Sequence, residues 1–145
     1  MKKVYIMIGC PGSGKSTWVK QTKLPFVSRD LVREGLEYCE PGQKYRGTWQ
    51  EEELVTRECE EIRKEFIKKG IDFAIDDTNT RKDRRRKLIQ ELRSSGYHVV
   101  GVKMETPLIE CLKRRNGEIP ESVIIRMWNS CQEVDPSEFD EFIEV

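Results

Sequence analysis

Residues 9 to 17 read Gly-Cys-Pro-Gly-Ser-Gly-Lys-Ser-Thr, with three glycines and no large side chain, directly after the apolar run Val4 to Ile8. The spacing Gly9-x-x-x-x-Gly14-Lys15-Ser16 is that of a phosphate-binding loop. Small residues through the loop (Gly9, Pro11, Gly12, Ser13, Gly14) let backbone N–H groups turn inward on phosphate oxygens. The helix start behind them, running through Thr17, adds partial positive charge. Lys15 is placed to reach the β- and γ-phosphates of a nucleoside triphosphate, and Ser16 to ligate Mg²⁺. ATP and Mg²⁺ are therefore the expected cofactors.

What receives the phosphate is a separate question. A guanine-nucleotide switch needs an N-K-x-D and a D-x-x-G element, and neither occurs in the sequence. A motor needs oligomeric partners and a larger chain. A small kinase remains, and it needs a carboxylate to take or orient the acceptor hydroxyl. Ser28-Arg29-Asp30-x-x-Arg33 offers one. The spacing of three puts Asp30 and Arg33 on one helical face. One can take the acceptor proton while the other holds a phosphate on the acceptor. Alone, the pair would read as an N-cap with a surface arginine; beside a phosphate loop it reads as an acceptor site. Asp30 would lie near the γ-phosphate if the first two strands are close.

Three further stretches stand out. Asp76-Asp77-Thr78-Asn79 follows an apolar run, where one aspartate could bind Mg²⁺ through water or orient Arg33; otherwise it is an Asx turn. Residues 81 to 87 hold six bases in seven positions at a helix start, where the dipole disfavours them. Polyanion binding is one reason for that arrangement, and a solvated face paired with an acidic helix is the other. Lys113-Arg114-Arg115-Asn116-Gly117 can form a short lid whose arginine neutralises charge on a transferring phosphoryl group, or a plain charged helix end.

The elements that would position these groups alternate. Strands are expected at residues 3–8, 24–28, 71–75 and 97–104. Helices are expected at 14–21, 30–38, 81–94, 107–115 and 120–133, with a break at Glu40-Pro41-Gly42. The best-specified helix starts at Thr48, whose Thr48-x-x-Glu51 spacing is a capping box. Val55, Cys59, Ile62 and Phe66 then share one face, and Gly70 closes it. Apolar strands alternating with helices imply an α/β fold: a P-loop NTPase-type parallel sheet with helices on both faces and a short Arg-bearing lid. Ligands then belong at the carboxyl ends of the strands. The acidic tail from Asp135 offers Phe139, Phe142 and Ile143 for docking.

The chain has 145 residues, 37% hydrophobic and 36% charged, with 26 bases against 26 acids. Its length suits a single domain over residues 1–145, and zero net charge argues for neither a nucleic-acid nor a membrane partner. Five cysteines, odd in number and without a C-x-x-C, read as reduced thiols and a cytoplasmic setting. The N-terminal apolar run falls far short of the roughly 20 residues of a membrane helix. His98 sits in an apolar run and reads as structural.

Taken together, GCPGSGKSTW, Ser28-Arg29-Asp30-x-x-Arg33, and Asp77-Thr78-Asn79 with Arg84-Arg85 resemble, in order, the elements of the P-loop 5′-hydroxyl polynucleotide kinases, among them the kinase domain of the phage end-healing enzyme. The resemblance runs from Met1 to about Trp128. It implies that Lys15 and Ser16 hold ATP phosphates and magnesium, that Asp30 is the general base on a 5′-OH, and that Arg33 holds the acceptor's 3′-phosphate. It further implies that Asp77 orients Arg33, that Thr78, Arg84 and Arg85 border the acceptor, and that a lid arginine contacts the donor phosphates. The lid departs from the family: Arg114 and Arg115 are adjacent and lie close to Ile119-Pro120. No D-x-D-x-T phosphatase motif occurs, so kinase activity without phosphatase activity is expected unless a fused or separate partner supplies it; a separate phosphatase or ligase is the candidate partner.

The expectation is thus an ATP- and Mg²⁺-dependent kinase for the 5′-OH of DNA or RNA. Its rivals are a kinase for a small hydroxylated nucleoside or metabolite, and a non-catalytic ATP-binding module. A basic groove running from Arg33 to the Arg81–Lys87 run would favour the polynucleotide acceptor over a small molecule. A closed apolar acceptor pocket would favour the small-molecule kinase.

Overall fold

A computed structural model describes residues 1–39 and 45–145. The break expected at Glu40-Pro41-Gly42 lies outside the described residues. The chain runs β1 (Lys3–Ile8), α1 (Lys15–Thr22), β2 (Phe26–Val27), α2 (Arg29–Cys39), α3 (Trp49–Lys69), β3 (Phe73–Ile75), α4 (Lys82–Ser94), β4 (His98–Lys103), α5 (Leu108–Arg114), α6 (Glu121–Gln132) and β5 (Glu141–Glu144). The strands form one sheet in the order β2-β3-β1-β4-β5, and every pairing is parallel.

Strand alternation divides the core into two layers. On one face Val4, Ile6 and Ile8 of β1 join Phe73, Ile75 and Val99, and Val55 and Cys59 of α3 with Ile89 and Leu92 of α4 cover them. On the other, Met7, Ala74, Val100 and Val102 meet Val19 of α1. The register requires this division, because Val4 lies opposite Phe73 and Val99, and Tyr5 opposite Ala74 and Val100. Helices therefore lie on both faces of an all-parallel sheet.

The capping box at α3 is formed: Thr48 accepts from the Glu51 N–H, and Glu51 accepts from the Thr48 N–H. Two expectations need correction. The first two strands are not neighbours, because β3 lies between β1 and β2. The tail docks as Phe139 and Phe142 were expected to do, yet residues 141–144 also form a fifth strand along β4. Two of its four residues are glutamates, so it reads from sequence as an acidic end.

His98 lies at the sheet margin, its Nε2 at 3.3 Å from Glu141. Cys10, Cys59, Cys111 and Cys131 are free and buried. Among the described residues no helix is long and apolar enough to cross a membrane.

Candidate active site

The loop between β1 and α1 is shaped by its glycines. Gly14 caps α1 at φ 94°, a left-handed conformation that strains any residue with a Cβ. Gly12 also has positive φ, and a Cβ there would sit 2.9 Å from the Cys111 carbonyl oxygen of α5. The loop therefore packs directly on the lid helix. The Gly9 N–H donates to the Thr78 carbonyl at 3.1 Å, which ties the loop to the end of β3. Thr106 Oγ1 donates to the Ser13 carbonyl at 2.7 Å.

Lys15 Nζ arches back and donates to the Cys10 carbonyl at 3.1 Å. Burial lowers the pKa of this ammonium, while the charges of Asp76, the Cys10 and Cys131 thiols and Asp30 oppose the shift. A poorly solvated cation in such a place gains most from an anionic partner. Ser13 Oγ is buried without a hydrogen-bond partner among the described residues. Residues 12 to 17 floor a cavity of about 680 Å³ walled by Met104, Thr106, Arg114 and Arg115.

Ser16 Oγ donates to Asp76 Oδ2 at 2.8 Å, and Asp76 is buried. A hydroxyl and a carboxylate, both hard oxygen donors, suit Mg²⁺, which takes one or two protein oxygens and fills its shell with water and phosphate. The residues present therefore fit the ion. Asp76, at the end of β3, is the carboxylate that meets Ser16, while its neighbour Asp77 turns the other way.

Both lid arginines border the donor cavity. Arg114 Nη1 donates to the Gly12 carbonyl at 3.0 Å and Nε faces Glu110 at 3.4 Å. Arg115 Nη1 faces Glu118 Oε2 at 3.0 Å. Arg114 thus donates to the phosphate loop, while Arg115 lays its stem against Gly12 and turns its guanidinium to Glu118.

The second half of the site lies across β3, where α2 and α3 meet. Asp30, in the first turn of α2, has a side chain 87% exposed and accepts from Arg33 Nη1 at 2.7 Å. Arg33 Nη2 reaches Glu52 Oε1 at 2.9 Å. Arg29 Nη2 reaches Glu52 Oε2 at 3.1 Å, and its Nη1 donates to Thr56 Oγ1. Burial alone would lower the pKa of the Arg33 guanidinium. The Glu52 carboxylate, with Tyr45 and Asp30, outweighs that effect, and the net shift is upward. For Glu52, burial pushes upward, but the Arg33 hydrogen bond leads the contacts that hold it below the usual carboxylate range. Arg33 is therefore a fixed, permanently charged fork.

Asp77 does not orient Arg33. Its Oδ1 accepts from the Arg29 backbone N–H at 2.9 Å, one of the N–H groups that a helix start leaves without an internal partner. Arg33, one turn further on, faces α3, and Glu52 holds it instead. Burial raises the Asp77 carboxyl above its ordinary value, against the pull of the Arg29 N–H and charge.

Adjacent arginines in the basic run have different roles. Arg85 is 3% exposed, with Nη1 on the Asn79 carbonyl at 2.9 Å and Nη2 on Glu138 at 3.2 Å. It binds α4 to the tail, which corrects its assignment to the acceptor surface. Asn79, at φ 49°, donates from Nδ2 to the Met7 carbonyl at 2.6 Å. Thr78 contributes its carbonyl to Gly9. The Asp77-Thr78-Asn79 stretch thus joins β3 to the loop and to α4. Arg81 pairs with Asp83, and Lys82 and Arg86 border a separate groove against the tail. Arg84 is exposed and faces the other way, into a groove of about 550 Å³ that it shares with Arg29, Arg33, Trp49 and Glu52.

Glu52 and Trp49 were not identified from sequence. Glu52 is one of three successive glutamates that suit a helix start on dipole grounds alone, and Trp49 follows a capping residue and falls outside every motif. Among the described residues no three His, Cys, Asp or Glu side chains cluster as a metal cage.

A family model described as an AAA domain matches residues 4–133. A chain of the Pnkp1/Rnl/Hen1 RNA repair complex superposes with a TM-score of 0.76 at 22% identity, covering 90% of this chain and 44% of that one. A gluconokinase from Sinorhizobium meliloti 1021 gives 0.56 at 17% identity over 99% of this chain and 82% of its own. The Mycobacterium tuberculosis APS kinase CysC, in complex with AMPPNP and APS, gives 0.59 at 15% identity over 99% and 88%. The chain spans less than half the length of the Pnkp1/Rnl/Hen1 chains it matches. What the chain shares with these structures is the fold.

Proposed function

We propose, from the premise that the chain belongs to the AAA domain family, that it is a kinase transferring the γ-phosphate of ATP to the 5′-hydroxyl end of DNA or RNA. The observation that carries this reading is Arg33. It is clamped between Asp30 at 2.7 Å and Glu52 at 2.9 Å, on a groove that holds two further arginines. A fixed guanidinium fork is suited to bidentate phosphate binding, here the 3′-phosphate of the terminal nucleotide. Trp49 is the one aromatic side chain among the described residues lining the groove, whereas a small metabolite would favour a closed apolar pocket. The likeness to a chain of an RNA repair complex supports the same acceptor class.

In this reading Arg33 orients the terminal nucleotide so that its 5′-OH faces the phosphate loop. The Asp30 carboxylate takes the hydroxyl proton as the oxygen attacks the γ-phosphorus. The bond from that phosphorus to the β–γ bridging oxygen breaks, and ADP leaves. Lys15 and a lid arginine, with Arg114 nearest the loop, meet the charge on the transferred group. Ser16 and Asp76 would hold Mg²⁺, which supplies charge neutralisation on the phosphates when bound.

The test is transfer of labelled γ-phosphate to 5′-OH oligonucleotides, DNA and RNA in parallel, with Asp30→Ala as control. Label at the 5′ end that disappears in Asp30→Ala supports the reading. Labelling of gluconate-like or nucleoside acceptors alone, with every oligonucleotide unlabelled, overturns it.

A further inference from the structure

We infer that Trp49 and Arg84 extend the acceptor site into a track for single-stranded nucleic acid, with Trp49 stacking a base beyond the terminal nucleotide and Arg84 taking the adjoining phosphate. This inference rests on the function proposed above and specifies its substrate. Trp49 is the first residue of α3 and is 72% exposed. A large indole held that far into solvent forgoes most of the burial that makes tryptophan useful to a fold. It lies on the same groove as Arg33 and Arg84. Single strands are held by this pairing of basic groove and aromatic faces, because every base has a π-face.

Arg84 supplies an independent argument. It sits in the first turn of α4, where the helix dipole disfavours a cation. Within the run Arg81 pairs with Asp83 and Arg85 with Glu138, Lys82 and Arg86 border the groove against the tail, and only Arg84 lines the groove of Arg33. Among the described residues Arg84 makes no ion pair. The groove's other two arginines already share Glu52, so Arg84 contributes the charge left for a further phosphate. A planar guanidinium meets a phosphodiester bidentately.

The consequence is a length effect. Wild type should phosphorylate a 5′-OH tetranucleotide with a lower KM than a nucleoside 3′-phosphate, because only the longer acceptor reaches Trp49 and Arg84. The measurement is the ratio of kcat/KM for tetranucleotide over nucleoside 3′-phosphate, in wild type, Trp49→Ala, Trp49→Phe and Arg84→Ala. Trp49→Ala should reduce that ratio about tenfold, the scale of one base lost from an aromatic face, and Trp49→Phe should restore most of it. Arg84→Ala should reduce the ratio and flatten the salt dependence of the tetranucleotide KM.

Wild type that uses both acceptors with a ratio untouched by Trp49→Ala and Arg84→Ala overturns the track and leaves the proposed function standing. Wild type that phosphorylates neither acceptor overturns the function, and the track with it.

Discussion

The Arg33 guanidinium and the Glu52 carboxylate meet at 2.9 Å where α2 packs on α3. Glu52 offers its second oxygen to Arg29, so one carboxylate fixes two arginines on successive positions of one helix face. Glu52→Gln keeps the size and removes the charge that holds the forks. The KM for an acceptor with a 3′-phosphate should rise about tenfold or more, the scale of a lost charge-assisted hydrogen bond. An acceptor without a 3′-phosphate should respond less. Equal changes for both acceptors would show that Glu52 serves the fold alone.

Asp30→Asn removes the proposed base and keeps a hydrogen-bond acceptor for Arg33. Turnover should fall about 10²- to 10⁴-fold, the usual contribution of general base catalysis. ATP affinity, measured by calorimetry, should stay within about threefold, because the donor residues lie across β3. A matching loss of ATP affinity would place Asp30 on the donor side.

Asp77 predicts a pH-dependent stability. Its carboxyl is raised by burial above the ordinary 3.8, so the folded protein holds that proton more tightly than the unfolded chain. Stability from this group is fully present below the unfolded value and is lost as pH rises through the folded one. Asp77→Asn keeps an oxygen for the Arg29 N–H and escapes the loss. Its Tm should equal that of wild type below the ordinary 3.8 and exceed it by a constant margin once pH has risen through the folded value. A gap that does not change with pH would show that Asp77 carries no burial cost.

Arg84 and Arg85 should separate cleanly. Arg85→Leu leaves Glu138, whose side chain is 13% exposed, without its partner and should cost about 3–5 kcal/mol in denaturant unfolding. Replacing both Arg85 and Glu138 with apolar residues should recover part of that. Arg84→Ala should change stability by no more than about 0.5 kcal/mol, as exposed substitutions do. Similar losses at both positions would contradict the division of the run.

The geometry of the phosphate loop was legible because it is local. A strand, a loop of small residues and a helix start follow one another in the chain, and Lys15 and Ser16 need no distant partner to be placed. The Thr48 capping box was legible for the same reason. The acceptor half depends on packing between elements that sequence leaves open. Glu52 works because α3 crosses α2, and nothing in a run of glutamates marks the one that faces an arginine. Arg85 reads like its neighbours until Glu138, 53 positions on, is found beside it. The order of strands also escapes a linear reading, because β3 enters the sheet between two strands that precede it.

That insertion sets a covalent ruler. Asp76 turns to Ser16 at the phosphate loop, and Asp77 turns to Arg29 at the start of α2. One trans peptide, about 3.8 Å between Cα atoms, separates the two attachments. Loops and helices around either attachment can diverge in length and chemistry without altering the spacing between the phosphate loop's anchor and that of α2, because that spacing is gauged by a single bond unit and not by the fit of distant surfaces.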